Sequence, residues 1–151
     1  MVAKKPILKI SWDEVINDSH TLASSIDDTP DCIVTLGRGG MIPGTIIAYR
    51  LGIRKIYNYG VHSYNDDNEP SHVRVYQEPD FNELTDKKVL VIDDLSDTGA
   101  TIEYVNKHLI NNKCSVCVGT LYIKKDTKLK PQYYVREFCS NTWLNFPWDS
   151  A

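Results

Sequence analysis

Residues 89–101 constrain the fold more than any other segment, because a short apolar run leads directly into acidic residues and a glycine turn. The run 89–92 reads Val-Leu-Val-Ile, which is typical of a strand buried on both faces of a parallel sheet. Asp93 and Asp94 follow it, and the turn 97–101 reads Asp-Thr-Gly-Ala-Thr. Apolar residues then recur at helical intervals, at Ile102, Val105, Leu109 and Ile110. The segment predicts a strand, a turn and a helix, with carboxylates at the carboxyl end of the strand.

This turn has the chemistry of an anion site. Ligands of open α/β sheets bind outside the carboxyl ends of the strands. A turn that carries glycine and hydroxyl groups and opens a helix presents free backbone N–H groups and the positive end of the helix dipole. Two carboxylates stand beside it, at positions 93 and 94. The combination indicates a sugar phosphate that binds together with its metal ion.

Strand and helix patterns alternate along the rest of the chain. Residues 11–14 (Ser-Trp-Asp-Glu) fit a capping box, which predicts the start of a helix that ends before Asp27. A glycine-rich turn at 37–40 precedes a second helix, with Pro43 in its first turn and Gly52 as its C-cap. Strands are predicted at 32–36, 55–64, 73–77, 115–123 and 133–138, with a mobile surface loop at 65–71. The alternation predicts an α/β fold with a doubly wound, mostly parallel sheet flanked by helices.

Length and charge exclude several classes of protein. The 151 residues predict a single domain over 1–151. The net charge of -3 and the scattered basic residues argue against nucleic-acid binding. No apolar run approaches the roughly 20 residues that span a bilayer, so an integral membrane protein is not expected. No apolar segment follows the two N-terminal lysines, so no secretory signal is visible and a cytoplasmic location is expected.

The four cysteines do not form a recognisable framework. Cys114 and Cys117 make a C-x-x-C, but no second Cys or His pair stands at the spacing of a structural zinc site. This pair also lies where a strand begins, and not at the strand-to-helix turn of a redox motif. We therefore expect all four, including Cys32 and Cys139, to be small buried or half-buried residues.

Three segments carry a resemblance to a known family. The thirteen residues 89–101 resemble the phosphoribosyl pyrophosphate (PRPP) motif of type I phosphoribosyltransferases. Residues 37–44 (Gly-Arg-Gly-Gly-Met-Ile-Pro-Gly) resemble the pyrophosphate-binding loop of that family. The tail 142–149 and the early Trp12-Asp13 are similar to the bacterial xanthine-guanine, or 6-oxopurine, branch. The resemblance covers residues 11–149 and implies the type I fold, with a small hood formed by the C-terminal segment.

The resemblance implies a purine-salvage reaction. PRPP with Mg²⁺ and a 6-oxopurine (guanine, xanthine or hypoxanthine) give the nucleoside 5′-monophosphate and pyrophosphate. Asp97 is then the catalytic acid/base that exchanges a proton with purine N7. Asp93 and Asp94 bind the ribose hydroxyls, with Asp94 also near Mg²⁺. By the same resemblance, the 5′-phosphate binds Thr98, Gly99, Ala100 and Thr101, and the pyrophosphate binds Arg38, Gly39 and Gly40.

The resemblance also implies a base pocket. Trp143 matches the aromatic residue that stacks on the purine, and Leu144 matches the residue whose backbone carbonyl meets the 2-substituent. Lys124 matches the lysine that donates to purine O6, which selects 6-oxopurines over adenine. The predicted loop 65–71 lacks the basic residue that relatives use for pyrophosphate, and Arg74 is the nearest alternative.

Other functions remain open at this point. The chain is alternatively a phosphoribosyltransferase for another base, such as a pyrimidine or orotate, or a PRPP-binding regulatory protein. The acidic balance disfavours a nucleic-acid-binding regulator, and Trp143 and Lys124 disfavour a pyrimidine. The relative preference among the three 6-oxopurines is not readable from the residues. The resemblance implies a homo-oligomer, either a tetramer or a dimer.

Overall fold

The computed structural model describes residues 5–64 and 72–149. Within them, three helices and eight strands follow one another in the predicted alternation. Helices α1, α2 and α3 span Trp12–Ser25, Met41–Leu51 and Ala100–Asn111, and a single 3-10 turn spans Phe81–Glu83. The strands are β1 (Ile7–Lys9), β2 (Cys32–Leu36), β3 (Ile56–Tyr64), β4 (His72–Gln77), β5 (Lys88–Ser96), β6 (Ser115–Lys124), β7 (Tyr133–Phe138) and β8 (Trp143–Asn145).

The main sheet has the order β4-β3-β2-β5-β6-β7. Every neighbouring pair is parallel except β3 and β4, which are antiparallel. β1 and β8 form a separate two-stranded parallel sheet, so the C-terminal segment contributes to a small hood. The predicted α/β fold with a mostly parallel sheet is confirmed.

The helix ends follow the predicted signals. Ser11 accepts a hydrogen bond from the Glu14 amide, and the Glu14 carboxylate accepts one from the Ser11 amide, each at 3.1 Å. Gly52 closes α2 in the left-handed region, at φ +73°. β5 differs from the expectation, because its pairing with β6 continues past the apolar run to Ser96. The acidic pair therefore lies within the strand, where its backbone is held on the sheet. The predicted loop 65–71 lies outside the described residues.

Apolar packing covers both faces of the sheet. Leu90 and Ile92 pack in the cluster that includes α1 and α2, whereas Val89 and Val91 pack in the cluster that includes α3. Each of these side chains on β5 is at most 1% exposed. The unbroken apolar run is explained by this burial on both faces. None of the helices in the described part of the chain is long and apolar enough to cross a membrane.

The cysteine expectation is only half right. All four are free thiols, and Cys32 and Cys114 are buried. Burial raises the pKa of Cys32 to about 11. Cys117 and Cys139 are exposed, contrary to the expectation. The short apolar pattern of β6 did not reveal that its first residues reach solvent.

A buried polar cluster joins α1 to the far half of the sheet. The Tyr122 hydroxyl donates to Asp18 at 2.6 Å, and Arg136 forms an ion pair with the same carboxylate at 3.2 Å. The Tyr122 ring also stacks on Phe146, which stacks on Trp148 with ring centres 5.0 Å apart. The core of β6 is thereby connected to the C-terminal segment.

Tyr122→Phe is expected to lower the free energy of unfolding by about 1–3 kcal/mol, because the buried Asp18 carboxylate loses a hydrogen-bond donor. Chemical denaturation of this variant and of Tyr76→Phe, at an exposed position on β4, measures the effect. Equal stability of the two variants would show that the hydroxyl contributes nothing.

Candidate active site

A cavity of about 640 Å³ opens at the carboxyl ends of β2, β3 and β5. The turns that follow β2 and β5 both line it, so the two glycine-bearing segments singled out in the sequence meet there. This position is the one expected for a ligand site in an open α/β sheet. The residues of the two turns that line the cavity are Gly37, Arg38, Gly39, Asp97, Thr98, Gly99, Ala100 and Thr101.

The turn after β5 is built to present backbone N–H groups. Gly99 has φ +90°, a conformation that glycine adopts without strain, and it is the N-cap of α3. Thr98 Oγ1 accepts from the Ala100 amide at 3.2 Å, and the Thr98 carbonyl accepts from the Lys128 amide at 2.9 Å. A Cβ at position 99 would lie 2.8 Å from the Leu129 nitrogen, so the close approach of Leu129 also requires glycine at position 99. The first turn of α3 therefore faces the cavity as a ready anion site.

Asp93 and Asp94 form a close acidic pair on the cavity wall. The Asp94 amide donates to Asp93 Oδ1 at 2.8 Å. Burial raises the pKa of Asp93 well above its ordinary value, and the charge of Asp94 raises it further. Burial also raises the pKa of Asp94 to about 6, and Asp149 adds to the effect. Without a positive partner, the pair tends to retain a proton.

The chemistry of this pair fits a divalent cation. Two carboxylates that are costly to ionise together are stabilised when a cation replaces the retained proton. Their oxygens are the hard ligands that Mg²⁺ prefers, and Mg²⁺ keeps several ligands from water and phosphate. Among the described residues, no group of three or more His, Cys, Asp or Glu side chains forms a metal cage.

The turn after β2 approaches the acidic pair so closely that it excludes side chains. A Cβ at Gly39 would overlap the Asp94 carboxylate, with the carboxylate carbon 2.6 Å away. A Cβ at Gly40 would overlap the Ile92 carbonyl and lie 2.9 Å from the Leu36 nitrogen. Arg38, in contrast, is exposed and lines the cavity. The turn thus brings backbone close to the carboxylates and one cationic side chain to the same cavity.

Asp97 lies in the turn itself, exposed at the cavity. It stands three residues beyond the acidic pair and at the same wall, so it is accessible to a bound ligand. This position is compatible with the acid/base role that the resemblance implies.

The three residues expected in the base pocket do not line this cavity. Lys124 is buried, and its Nζ donates to the Thr142 carbonyl. Trp143 pairs with Ile7 in the hood and is 58% exposed, whereas Leu144 is buried. Lys124 and Trp143 are nevertheless brought into one region by the hydrogen bond to Thr142. Their roles toward a base stay predictions.

Several cavity residues were not identified from the sequence. His62 lines the cavity from β3, next to Ser63, although no spacing signal distinguished it. Phe146, Trp148 and Asp149 line it from the tail, and the compact Phe-Pro-Trp-Asp run was the available signal. Arg74, the alternative considered for pyrophosphate, is not among the residues that line the cavity. Its guanidinium lies over the Tyr64 ring, 5.0 Å from the ring centre.

Several known proteins are similar to this chain in sequence and in fold. The sequence matches the family described as "Phosphoribosyl transferase domain" over residues 11–151. Xanthine-guanine phosphoribosyltransferases from Ruegeria sp. and Roseobacter denitrificans are 33% and 32% identical, each over 94% of this chain and 85% of the relative. The crystal structure of a purine phosphoribosyltransferase from Pyrococcus horikoshii superposes with a TM-score of 0.83 at 29% identity, covering 96% of this chain and 95% of that one.

The family match includes α1, both cavity turns and the tail, and the curated relatives align over almost the same length. The chain belongs to the phosphoribosyl transferase domain family.

Proposed function

We propose that this protein transfers the phosphoribosyl group of PRPP to a 6-oxopurine in purine salvage. The observation that carries the proposal is the contact of the turn after β2 with the acidic pair on β5, where Gly39 lies against the Asp94 carboxylate in one cavity. A ribose 5-phosphate at one turn then has its 1-pyrophosphate at the other. The purine follows from the relatives, which are named as xanthine-guanine and purine phosphoribosyltransferases.

In the reaction, the bond between ribose C1 and the pyrophosphate oxygen breaks, and a bond from C1 to purine N9 forms. The 5′-phosphate binds the N–H groups of 98–101 at the start of α3, with the hydroxyls of Thr98 and Thr101. Arg38 and the amide of Gly39 bind the pyrophosphate and stabilise the negative charge that it gains on leaving. Gly40 provides the close backbone approach. Asp97 exchanges the proton with purine N7.

The ribose hydroxyls bind Asp93 and Asp94. Asp94 contributes an oxygen ligand to Mg²⁺, which neutralises phosphate charge when bound with PRPP. Support for this role comes from the pKa of both carboxyls, which burial raises, because a nearby cation stabilises the ionised form that burial disfavours. Binding therefore displaces the proton that the empty pair retains.

The base binds between the cavity and the tail. Trp143 stacks on the purine, the Leu144 carbonyl accepts from the 2-substituent, and Lys124 donates to O6. Support comes from the bond that already holds Lys124 to the residue before Trp143. The dimer or tetramer that the resemblance implies, and the cytoplasmic location expected from the sequence, stay predictions.

The proposal is tested by incubating the protein with Mg²⁺ and PRPP and, separately, with guanine, xanthine, hypoxanthine, adenine or orotate. Nucleoside 5′-monophosphate is expected with one or more 6-oxopurines and not with adenine or orotate. Product is measured by chromatography, with omission of PRPP as the control. Turnover of orotate alone, or of none of the five bases, would contradict the proposal.

Asp97→Asn is expected to lower kcat by about 100-fold or more, because the general acid/base is lost. The dissociation constant of PRPP should change less than about threefold, since the amide retains the size of the carboxyl group and the turn keeps its N–H groups. Steady-state kinetics and calorimetric titration with PRPP measure the two effects. Asp28→Asn, at an exposed acid that pairs with Lys88 at the start of β5, is the control for removing one charge. An unchanged kcat would remove Asp97 from this role.

Asp94→Asn is expected to stabilise the empty protein at pH 7.5 while it abolishes tight PRPP binding. The folded protein raises the pKa of Asp94 from 3.8 to about 6, so it holds this proton more tightly than the unfolded chain. Stability is therefore lost as pH rises from about 4 to about 6, and the full cost is present above that window. Removing the ionisable group should regain about 1–3 kcal/mol at pH 7.5 and little at pH 4.

Thermal and chemical unfolding at both pH values measure this gain, with Glu137→Gln as the control for an exposed acid on β7. A variant that is less stable than the wild type at pH 7.5 would show that the buried charge carries no net cost.

A further inference from the structure

A polar cluster lies directly behind the turn that follows β2. Asn58 on β3 stands opposite Thr35 in the parallel ladder. Its amide is oriented with Nδ2 toward the Thr35 and Gly37 carbonyls, because the other orientation would set an oxygen against these two acceptors. In this orientation Nδ2 lies 3.0 Å from the Thr35 carbonyl, 3.1 Å from the Gly37 carbonyl and 2.9 Å from Thr35 Oγ1. The remaining amide oxygen lies 2.9 Å from Gln77 Oε1, so it accepts a hydrogen bond from Gln77 when that side-chain amide is turned over as well.

The Gly37 carbonyl is the informative member of this cluster. Gly37 has φ +51°, and glycine has access to several peptide orientations at such a turn. Its own N–H donates to the Tyr59 carbonyl at 2.8 Å, but this bond leaves the next peptide plane free to rotate. The bond from Asn58 fixes that plane by holding its carbonyl against β3.

The orientation of this peptide decides what the cavity presents. In a trans peptide the carbonyl of one residue and the N–H of the next point in opposite directions. When Asn58 holds the Gly37 carbonyl, the Arg38 N–H points away from Asn58. Asn58 does not line the cavity, whereas Gly37, Arg38 and Gly39 do. If the peptide plane between Gly37 and Arg38 were turned over, it would present a carbonyl oxygen to the cavity, and that oxygen would repel an anion.

The N–H groups of the turn divide accordingly. Those of Gly37 and Gly40 donate to the carbonyls of Tyr59 and Leu36, at 2.8 and 3.1 Å. Within the described residues, those of Arg38 and Gly39 have no such backbone acceptor. They are therefore the donors left for a ligand.

We propose that Asn58 is a positioning residue for pyrophosphate, which holds the Gly37 peptide so that the turn offers N–H groups to the leaving group. The proposal rests on the proposed function, since it assigns the anion as the pyrophosphate of PRPP. Gln77 supports Asn58 from β4, and it approaches closely because position 60 is glycine. A Cβ there would lie 3.0 Å from the Gln77 Cβ.

Asn58→Asp tests this role at constant size. The substitution replaces the donor with an acceptor that repels the Gly37 carbonyl. The KM for PRPP and, in the reverse reaction, the KM for pyrophosphate are each expected to rise about tenfold or more, the factor that corresponds to one lost buried hydrogen bond. The dissociation constant of the nucleoside 5′-monophosphate, which uses the turn after β5, should change less than about twofold.

Asn17→Asp is the matched control, because it makes the same chemical change on the exposed face of α1. It should leave all three constants unchanged. A uniform rise in all constants of Asn58→Asp would assign Asn58 a merely structural role and overturn the proposal. Unchanged constants for PRPP and pyrophosphate would overturn it as well.

Two measurements keep the proposal testable if Asn58→Asp does not fold. Asn58→Ser replaces the side-chain amide with a shorter hydroxyl and adds no charge, and it should show the same selective rise. In the wild-type protein, the Asn58 side-chain NH₂ should be protected from hydrogen exchange in NMR spectra, and rapid exchange would contradict the bond to Gly37.

Failure of the proposed function would give a different result. In that case the wild-type protein would form no nucleotide. The pyrophosphate affinity of the wild type and of Asn58→Ser could still be measured by calorimetric titration in the presence of Mg²⁺. Equal pyrophosphate binding by the two proteins would overturn the role of Asn58, whatever the reaction.

Discussion

The close contact of Gly39 with the Asp94 carboxylate is the constraint on which the site depends. It exists because β2 and β5 are neighbours in the sheet although two strands separate them in sequence. α2 and α3, which follow these strands, pack against opposite faces. The two turns therefore diverge from one point and leave a crevice between them, the topological switch point of an open α/β sheet. A side chain at position 39 would close that crevice, so the absence of a Cβ there is as important as the chemistry of the acids.

The same contact has an energetic cost. Burial raises the pKa values of both Asp93 and Asp94, and the charge of Asp94 raises that of Asp93 further, so holding two carboxylates in one place destabilises the folded protein. The apolar strand beneath them supplies the rigidity to maintain this arrangement, since Leu90 and Ile92 are almost fully buried. Under the proposed function, a cation and the ribose hydroxyls would offset part of that cost on binding.

The sequence predicted the local elements well because their signals are local. The capping box at Ser11, the C-cap at Gly52 and the buried strand at 89–92 each depend on a few neighbouring residues. It also identified both turns, since glycine, hydroxyl and acidic residues in order leave few other interpretations. It did not reveal His62 or Trp148 in the cavity, because the pairing of β3 and the path of the tail bring them there. Asn58 was equally invisible, as its function depends on a hydrogen bond to a turn twenty-one residues earlier in the chain.

The half of the site proposed to bind the base depends on how β6 holds the tail. Tyr122 stacks on Phe146, and Lys124, two residues further along the same strand, donates to the Thr142 carbonyl. A buried ammonium must be hydrogen-bonded, and it carries three donors, so Lys124 is able to keep Thr142 while it meets another acceptor. If that acceptor is purine O6, then base recognition and the position of Trp143 are set by one side chain. The preference for a 6-oxopurine and the position of the tail beside it would then both depend on Lys124 of β6.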